Sequence, residues 1–408
     1  MLTFLSKSFF VVTIFSVIRL LIGAFVAGFF LPTDYAVIIV PMVLFTFLDL
    51  YIEGGYISAI VKLGIEEEER KNVVQEQFKK FLTFSPFLVV FLVLFSFYHA
   101  DKLMPILVIL NYCLISFIRI FCYTREGLLV ATGKYIQVEA ISFIMTGITY
   151  LFIFYLIFNS SIAGYYLLCL WHSIFAFLYA LTIYFYAQDK YFDKYEKFQE
   201  IKKFAETNRN VSIVLTINNR IDELAAFNVL GSSPLGLFAK FKEIALAFGT
   251  LTSKIINKPW FYVACNSPFK YTMKLYLYAY FMFFIVFLIL FPLGSWVINS
   301  VIGIMGENWT QLFIYSDYVL IFLFCYFLCE FSRNTLLACG GEDFTYKLEK
   351  TFLILRVLAY STLLISSYFG FFKIHIFLFI IIELFLRTLF LLIENIGLYF
   401  IFKSRENF

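Results

Sequence analysis

Charged residues are scarce in this chain, at 15% of 408 residues, while hydrophobic residues make up 62%. The mean hydropathy of +0.86 excludes a soluble globular domain of this length. The net charge of +4 is too small to indicate nucleic-acid binding. The seven cysteines lack zinc-site spacing, and no nucleophile–base arrangement or nucleotide-binding loop is present. The composition therefore indicates a membrane protein that is not an enzyme.

Apolar runs of membrane-spanning length recur about twelve times. The predicted spans are 8–30, 36–61, 81–99, 103–124, 136–158, 163–187, 210–231, 235–262, 273–298, 312–338, 350–370 and 374–402. These runs are too long and too continuously apolar for barrel strands, so they predict helices. The first run is too long for a cleaved signal and lacks a small-residue cleavage site, so we interpret it as the first span.

Lysine and arginine are concentrated in alternate loops. With the N-terminus in the cytoplasm, the inner loops 62–80, 125–135, 188–209, 263–272 and 339–349 and the termini hold about twenty basic residues. The outer loops hold Lys102 and Lys373. The positive-inside rule therefore predicts an even number of spans with both termini in the cytoplasm.

The predicted outer loops are short, and the longest covers residues 299–311. Membrane polymerases and transferases that act on lipid-linked sugars usually need a larger external loop or domain to hold donor and acceptor. The short loops therefore count against that class, although an integral-membrane polymerase or transferase stays an alternative.

Two weak internal echoes predict a repeat. Residues 30–36 (FLPTDYA) end the first span and resemble residues 230–236 (LGSSPLG), which end the seventh. Residues 131–133 (ATG) follow the fourth span, as residues 338–340 (ACG) follow the tenth. We therefore predict two homologous six-helix lobes, 1–187 and 210–408, joined by a cytoplasmic linker at 188–209, with a site at the lobe interface.

The echoes and further motifs resemble one known family. Residues 30–36 with 49–54 (DLYIEG) resemble its first turn and later D-L-G, and residues 129–134 (LVATGK) resemble its A-x-G-K/R. Residues 219–222 (NRID) with 234–239 (PLGLFA) look like its seventh-helix segment, and 306–309 (GENW) resemble its G-E-x-W. The chain thus resembles the polysaccharide transporter family, the Wzx-type O-antigen flippases, in the superfamily that includes MATE exporters and lipid II flippases.

This resemblance implies a MATE-like all-α fold in a bacterial inner membrane. It implies translocation of an undecaprenyl-diphosphate-linked oligosaccharide, an O-antigen or capsule repeat unit for lipopolysaccharide or capsule biosynthesis, from the cytoplasmic to the periplasmic leaflet by alternating access. Membrane lipids are expected partners, as are the polymerase and chain-length regulator of the same pathway. A MATE-type exporter of drugs or small cations is the alternative within transport.

Cations inside the spans are the candidate cargo contacts, because a diphosphate cannot cross about 30 Å of hydrocarbon unaided. Arginine suits phosphate because its planar fork binds two oxygens and keeps its charge. The predicted cationic cavity comprises Arg19, Arg220, Lys240, Lys254, Arg119 and Arg333. An interhelical ion pair for Arg19, with Asp49 as the obvious partner, and snorkelling of the lysines are the structural alternatives.

Transport also needs an energy source, and the sequence indicates no cofactor. Coupling to an H⁺ or Na⁺ gradient would use a carboxylate whose pKa is raised by burial. By position alone, the candidates for coupling or gating are Asp49, Asp222, Glu223, Glu330 and Glu383. A structural inter-helix role is equally open for Glu383, which lies four residues before Arg387.

Overall fold

Every regular element in the described part of the chain is a helix. This computed structural model describes residues 2–63, 65, 67–99, 103–187, 198–252, 260, 264, 269–339, 341–369 and 375–406. The all-α fold class predicted from the sequence is confirmed.

The helices follow the predicted spans in order. The first seven are α1 (Leu2–Ala27), α2 (Pro32–Glu53), α3 (Tyr56–Leu63), α4 (Glu67–Tyr98), α5 (Ile106–Ala131), α6 (Tyr135–Asn159) and α7 (Gly164–Tyr186). The later ones are α8 (Phe198–Val229), α9 (Ser232–Thr252), α10 (Phe269–Met305), a 3-10 helix (Glu307–Tyr315), α11 (Ser316–Ala338), α12 (Glu342–Tyr368) and α13 (Ile376–Glu406). Each of the twelve predicted spans overlaps at least one of these helices, and the second and tenth spans each overlap two.

Nine helices among the described residues are long and apolar enough to cross a membrane. Their outward surface is apolar, with exposed fractions of 75% for Phe87, 69% for Ile289 and 66% for Phe385. Such a surface suits acyl chains, so the chain is a multi-pass membrane protein. Helices α8 and α9 are not among the nine, and they carry several of the charges that the sequence places inside spans.

The predicted second span, 36–61, is interrupted and forms two helices. Gly54 and Gly55 adopt φ of +63° and +76°, a left-handed conformation that ends α2 and that glycine adopts without a Cβ clash. The Glu53 carboxylate then accepts hydrogen bonds from the backbone N–H groups of Gly55 and Ile57, each at 2.8 Å. The carboxylate therefore satisfies free donors at the start of α3.

The chain divides into two compact units. The N-terminal unit is Phe29–Arg220, and in it α5 packs against α2, α3, α4, α6 and α7. At one end of this unit, Tyr56, Ile60, Val73 and Ile201 pack with their neighbours into a buried apolar cluster. Helix α5 is therefore the central element of the N-terminal unit.

The C-terminal unit comprises Met1–Gly28 and Ile221–Phe408. In it, α11 packs against α9, α10, α12 and α13, and α1 packs against α9 and α10. The two central helices, α5 and α11, end at Ala131 and Ala338, the first residues of the predicted echo. In each unit, the echo therefore marks the end of the central helix. The predicted lobe boundaries at 187 and 210 stay a prediction.

The Gly306–Trp309 motif holds the 3-10 helix against α1. Gly306 has a φ of +83°, and Trp309 is fully buried. The Trp309 indole N–H donates a hydrogen bond to the carbonyl oxygen of Ala27 at 2.9 Å. Gly28 lies so close that a Cβ there would meet the carbonyl oxygen of Met305 at 2.5 Å. The motif therefore has a packing role in the C-terminal unit.

Replacing Trp309 with phenylalanine should lower the free energy of unfolding by about 1–3 kcal/mol, because the buried Ala27 carbonyl loses its donor. Denaturant titration in mixed micelles measures this loss. Trp296→Phe is the matched control, since Trp296 is 66% exposed on α10, and it should change stability by less than about 0.5 kcal/mol. Equal effects of the two substitutions would contradict the anchoring role.

Candidate functional site

A buried lysine joins α8 and α9 in the C-terminal unit. The Lys242 ammonium lies 2.6 Å from an oxygen of Asp222 and 3.2 Å from an oxygen of Glu223. All three side chains are at most 1% exposed. The sequence places Asp222 inside a predicted span, and Lys242 supplies the cation that the buried carboxylate needs.

A second buried group joins α12 and α13. Glu383 accepts a hydrogen bond from Arg356 at 3.1 Å and another from the Tyr360 hydroxyl at 2.5 Å. The Arg387 guanidinium lies 3.4 Å from the same carboxylate, one helical turn along α13. The predicted pairing of Glu383 with Arg387 is confirmed, and Arg356 and Tyr360 extend it to a neighbouring helix.

These two groups form one electrostatic unit. Glu383 interacts with the charge of Lys242, and Asp222 interacts with the charge of Glu383. We call this set the C-unit ion cluster, which consists of Asp222, Glu223, Lys242, Arg356, Glu383 and Arg387. Three carboxylates face three cations, so the cluster is neutral when every member is ionised. That balance permits six charges to be buried together, because each loses water but gains an opposite charge.

A further group in the same unit, the Arg333 cluster, consists of Arg333, Glu349 and Glu394, and its positive and negative charges are not equal in number. Arg333 on α11 lies 2.7 Å from Glu349 on α12 and 3.9 Å from Glu394 on α13. Glu394 is fully buried, and neither of its carboxylate oxygens accepts a hydrogen bond from the described residues. Arg333 thus faces two carboxylates, but Glu349 also interacts with the charge of Arg356, so Glu394 is the carboxylate left without a hydrogen-bonded cation among the described residues. Such a site favours a proton or a cation as a third participant.

In the N-terminal unit, Asp49 on α2 forms an ion pair with Arg119 on α5. The sequence offered Asp49 as a possible partner for Arg19; within the N-terminal unit, the packing of α2 on α5 places Arg119 beside Asp49. The Arg119 guanidinium also lies 5.4 Å from the centre of the Tyr123 ring. Asp49 is mostly buried, but the Arg119 side chain stays 46% exposed.

The position of Arg119 makes its exposure informative. It lies thirteen residues from the start of α5 at Ile106 and twelve from the end at Ala131. At 1.5 Å per residue, each end of the helix is about 18–20 Å away. The predicted span 103–124, however, ends five residues past Arg119, about 7.5 Å along the helix on the cytoplasmic side. Asp49 supplies an anion for the Arg119 charge, and the exposed part of the Arg119 side chain is available to water or to a second anion.

Lys240 on α9 is buried, and its ammonium contacts both oxygens of Glu243 at 2.9 Å. Glu243 is 58% exposed, so this pair reaches the surface of the unit. Lys254, the other lysine of the predicted cationic cavity, lies outside the described residues.

The remaining predicted residues are half-buried. Arg19 lies on α1, Arg220 on α8 and Glu330 on α11, and each interacts with other groups of the protein. Contact of these residues with cargo, or a gating role, stays a prediction. His172 on α7 has its Nδ1 2.8 Å from the carbonyl oxygen of Leu168.

Two members of the clusters were not singled out from the sequence. Glu349 was assigned to an inner loop, and Tyr360 lies in an apolar run. Arg356 and Tyr360 are four residues apart, which places them on one helical face, and that spacing was the available signal. Glu349 stands seven residues before Arg356 on the same helix, two turns away.

Together, the structure defines a multi-pass helical membrane protein with buried ion clusters in the C-terminal unit and an Asp49–Arg119 ion pair in the N-terminal unit. No family model matches the sequence, and no curated protein matches it. Two solved structures do resemble it. One is an inward-facing multidrug resistance MATE family transporter of the MOP superfamily, with a TM-score of 0.66, 13% identity and coverage of 94% of each chain. The other is an outward-facing one, with a TM-score of 0.57, 13% identity and coverage of 98% of this chain and 97% of that one.

Both likenesses extend over nearly the whole chain, and at 13% sequence identity they show the fold alone. The chain therefore has the fold of MATE family transporters of the MOP superfamily. The predicted MATE-like architecture is confirmed.

Proposed function

We propose that this protein is a transporter that moves a lipid-linked oligosaccharide with an anionic diphosphate from the cytoplasmic to the periplasmic leaflet of a bacterial inner membrane. The observation that carries the proposal is the half-exposed Arg119 side chain near the middle of α5, inside the predicted span 103–124. An arginine kept accessible inside a span suits a phosphate that must cross there.

Three further features support this cargo. The likeness to MATE transporters provides a fold built for alternating access. The short predicted outer loops argue against a polymerase or transferase. The motif resemblance to Wzx-type flippases favours a lipid-linked sugar over a drug. The polymerase and chain-length regulator of the same pathway are the proposed protein partners.

A second candidate is export of an organic cation, since both structural neighbours are described as multidrug resistance transporters. The Arg333 cluster favours it, because the Glu394 carboxylate there is fully buried and no described residue donates a hydrogen bond to it. A cationic drug that binds at the Arg333 cluster should then be exported. An efflux assay with a fluorescent organic cation would detect this export.

We propose that an H⁺ or Na⁺ gradient drives the cycle. Asp49, Asp222, Glu223, Glu330 and Glu383 are the carboxylates proposed for coupling or gating. Three of them belong to the neutral C-unit ion cluster, where loss of one charge would unbalance the rest. Transport measured with a proton ionophore, and separately with Na⁺ replaced by K⁺, distinguishes the two gradients.

Replacing Arg119 with alanine should reduce transport at least tenfold, since a charged hydrogen bond to phosphate is worth about 1.5–3 kcal/mol. The assay is complementation of a flippase-null strain with a defined repeat unit, read as surface polymer and as lipid-linked units left on the cytoplasmic face. Arg119→Lys keeps the charge and should retain part of the activity.

Two variants control this experiment. Arg125→Ala removes an arginine from the end of α5, where it donates to the Tyr184 carbonyl and stacks 3.7 Å from the Tyr184 ring centre, and transport should persist. Arg119→Gln combined with Asp49→Asn leaves no unpaired charge, so it separates loss of cargo contact from misfolding. Full surface polymer with Arg119→Ala at normal membrane levels would refute the proposal, and shortened chains alone would indicate a polymerase.

A further inference from the structure

A cavity of about 460 Å³ opens between α2, α4 and the first part of α8 in the N-terminal unit. Three lysines line it, Lys79 and Lys80 from α4 and Lys202 from α8. Its volume falls in the range of small-molecule sites in proteins. No residue of the ion clusters described above lines this cavity.

The cavity has a positive surplus. Glu76 is the one carboxylate among its lining residues, and it lies 3.3 Å from Lys80 and 3.2 Å from Lys202. Lys79 is exposed and forms no ion pair with the part of the chain that the structure describes. Three lysines against one glutamate leave a net charge of about +2 when all are ionised. Nearby, Arg209 and Glu206 offset each other and leave this surplus unchanged.

Neutral groups complete the lining. The Tyr51 and Phe84 rings meet edge to face with centroids 4.6 Å apart, and the Lys80 ammonium lies 5.6 Å from the centre of the Tyr51 ring. The amide side chains of Asn72 and Gln75 provide hydrogen-bond donors and acceptors. A positive pocket with amides and an aromatic wall suits an anion that bears hydroxyl groups.

The cavity lies at the level of lipid headgroups. Leu82, 55% exposed, begins a lipid-facing stretch of α4 that continues through Phe87 to Phe97, 71% exposed. The rise from Leu82 to Phe97 corresponds to about 23 Å, which is roughly three quarters of the ~30 Å hydrocarbon core. Lys79 and Lys80 directly precede this stretch, on the side of the predicted basic loops.

We propose that this cavity binds the phosphate-bearing headgroup of an anionic lipid in the cytoplasmic leaflet. Lysine provides point charges for phosphate oxygens, and basic pockets between helices on the cytoplasmic side bind anionic headgroups. Lys79 and Lys202 contact the phosphate, while Asn72 and Gln75 bind the hydroxyl groups of glycerol or sugar. The proposal concerns binding, so it holds whether the transported cargo is a lipid-linked sugar or a drug.

Two lipids share this chemistry, a bulk anionic phospholipid and a polyprenyl phosphate. Native mass spectrometry of the full-length protein in detergent tests both, with phosphatidylglycerol, undecaprenyl phosphate and zwitterionic phosphatidylethanolamine as separate probes. The wild-type protein should retain at least one anionic lipid in preference to phosphatidylethanolamine. Retention of undecaprenyl phosphate alone identifies the cargo lipid as the ligand, and retention of both identifies a general anionic-lipid site.

The variants locate the binding. Lys79→Gln combined with Lys202→Gln should weaken retention of the anionic lipid by about 10–30-fold. Glu76→Gln should strengthen it, because it removes the carboxylate that competes for two of the lysines. Lys71→Gln is the matched control, as it removes one charge from α4 at an exposed lysine that pairs with Glu67 outside the cavity. A loss with Lys71→Gln as large as with the double variant, or equal retention of phosphatidylethanolamine, would overturn the proposal.

Discussion

Replacing Lys242 with methionine should lower the free energy of unfolding by about 3–5 kcal/mol, since it leaves buried carboxylates without their cation. Methionine fills much of the same volume, so the effect is electrostatic. Asp222 and Glu223 lie 2.6 and 3.2 Å from the ammonium and are at most 1% exposed, so water cannot replace it. Denaturant titration in mixed micelles, followed by circular dichroism, measures the change.

Lys240→Met is the matched control, because it makes the same substitution two residues earlier on α9. The carboxylate it leaves unpaired, Glu243, is 58% exposed and stays hydrated, so the loss should be below about 1 kcal/mol. Adding Asp222→Asn to Lys242→Met restores neutrality and should recover part of the stability. If Lys240→Met and Lys242→Met destabilise equally, the C-unit ion cluster does not hold α8 and α9 together electrostatically.

The sequence was sufficient for the helices, because crossing hydrocarbon requires about 20 apolar residues whatever the packing. The same argument placed Asp222 inside a span, but it did not say which residue would pair with it, and the structure shows that this residue is Lys242. It missed the break in the span 36–61, although the pair Gly54–Gly55 was the signal for it. The rule for span length thus gives positions along the chain but says little about interruptions within a span.

Partners across helices were harder to predict than the charges themselves. Asp49 pairs with a residue seventy positions away, Arg119, and Arg356 pairs with Glu383 across 27 positions. Which helix faces which depends on packing that no single sequence records. The pairs within one helix, Lys240 with Glu243 and Glu383 with Arg387, were predictable because helical spacing alone brings them together.

Replacing Glu383 with glutamine should also cost about 3–5 kcal/mol, because Arg356 and Arg387 then share no anion in a buried site. Glutamine keeps the size of the side chain and an oxygen that can accept the Tyr360 hydroxyl, so the loss reports the missing charge. The three cations of the C-unit ion cluster would then face two carboxylates. The measurement is again denaturant titration in mixed micelles.

The control and the compensating change rest on the same charge balance. Glu243→Gln removes an exposed partner and should cost less than about 1 kcal/mol. Arg387→Met in the Glu383→Gln background returns the cluster to two cations and two carboxylates, and should recover stability that Arg387→Met alone would lose. A cycle in which the two losses simply add would show that Glu383 and Arg387 act independently, despite the 3.4 Å between them. Recovery would show that neutrality, more than any single contact, is what permits these charges inside the unit.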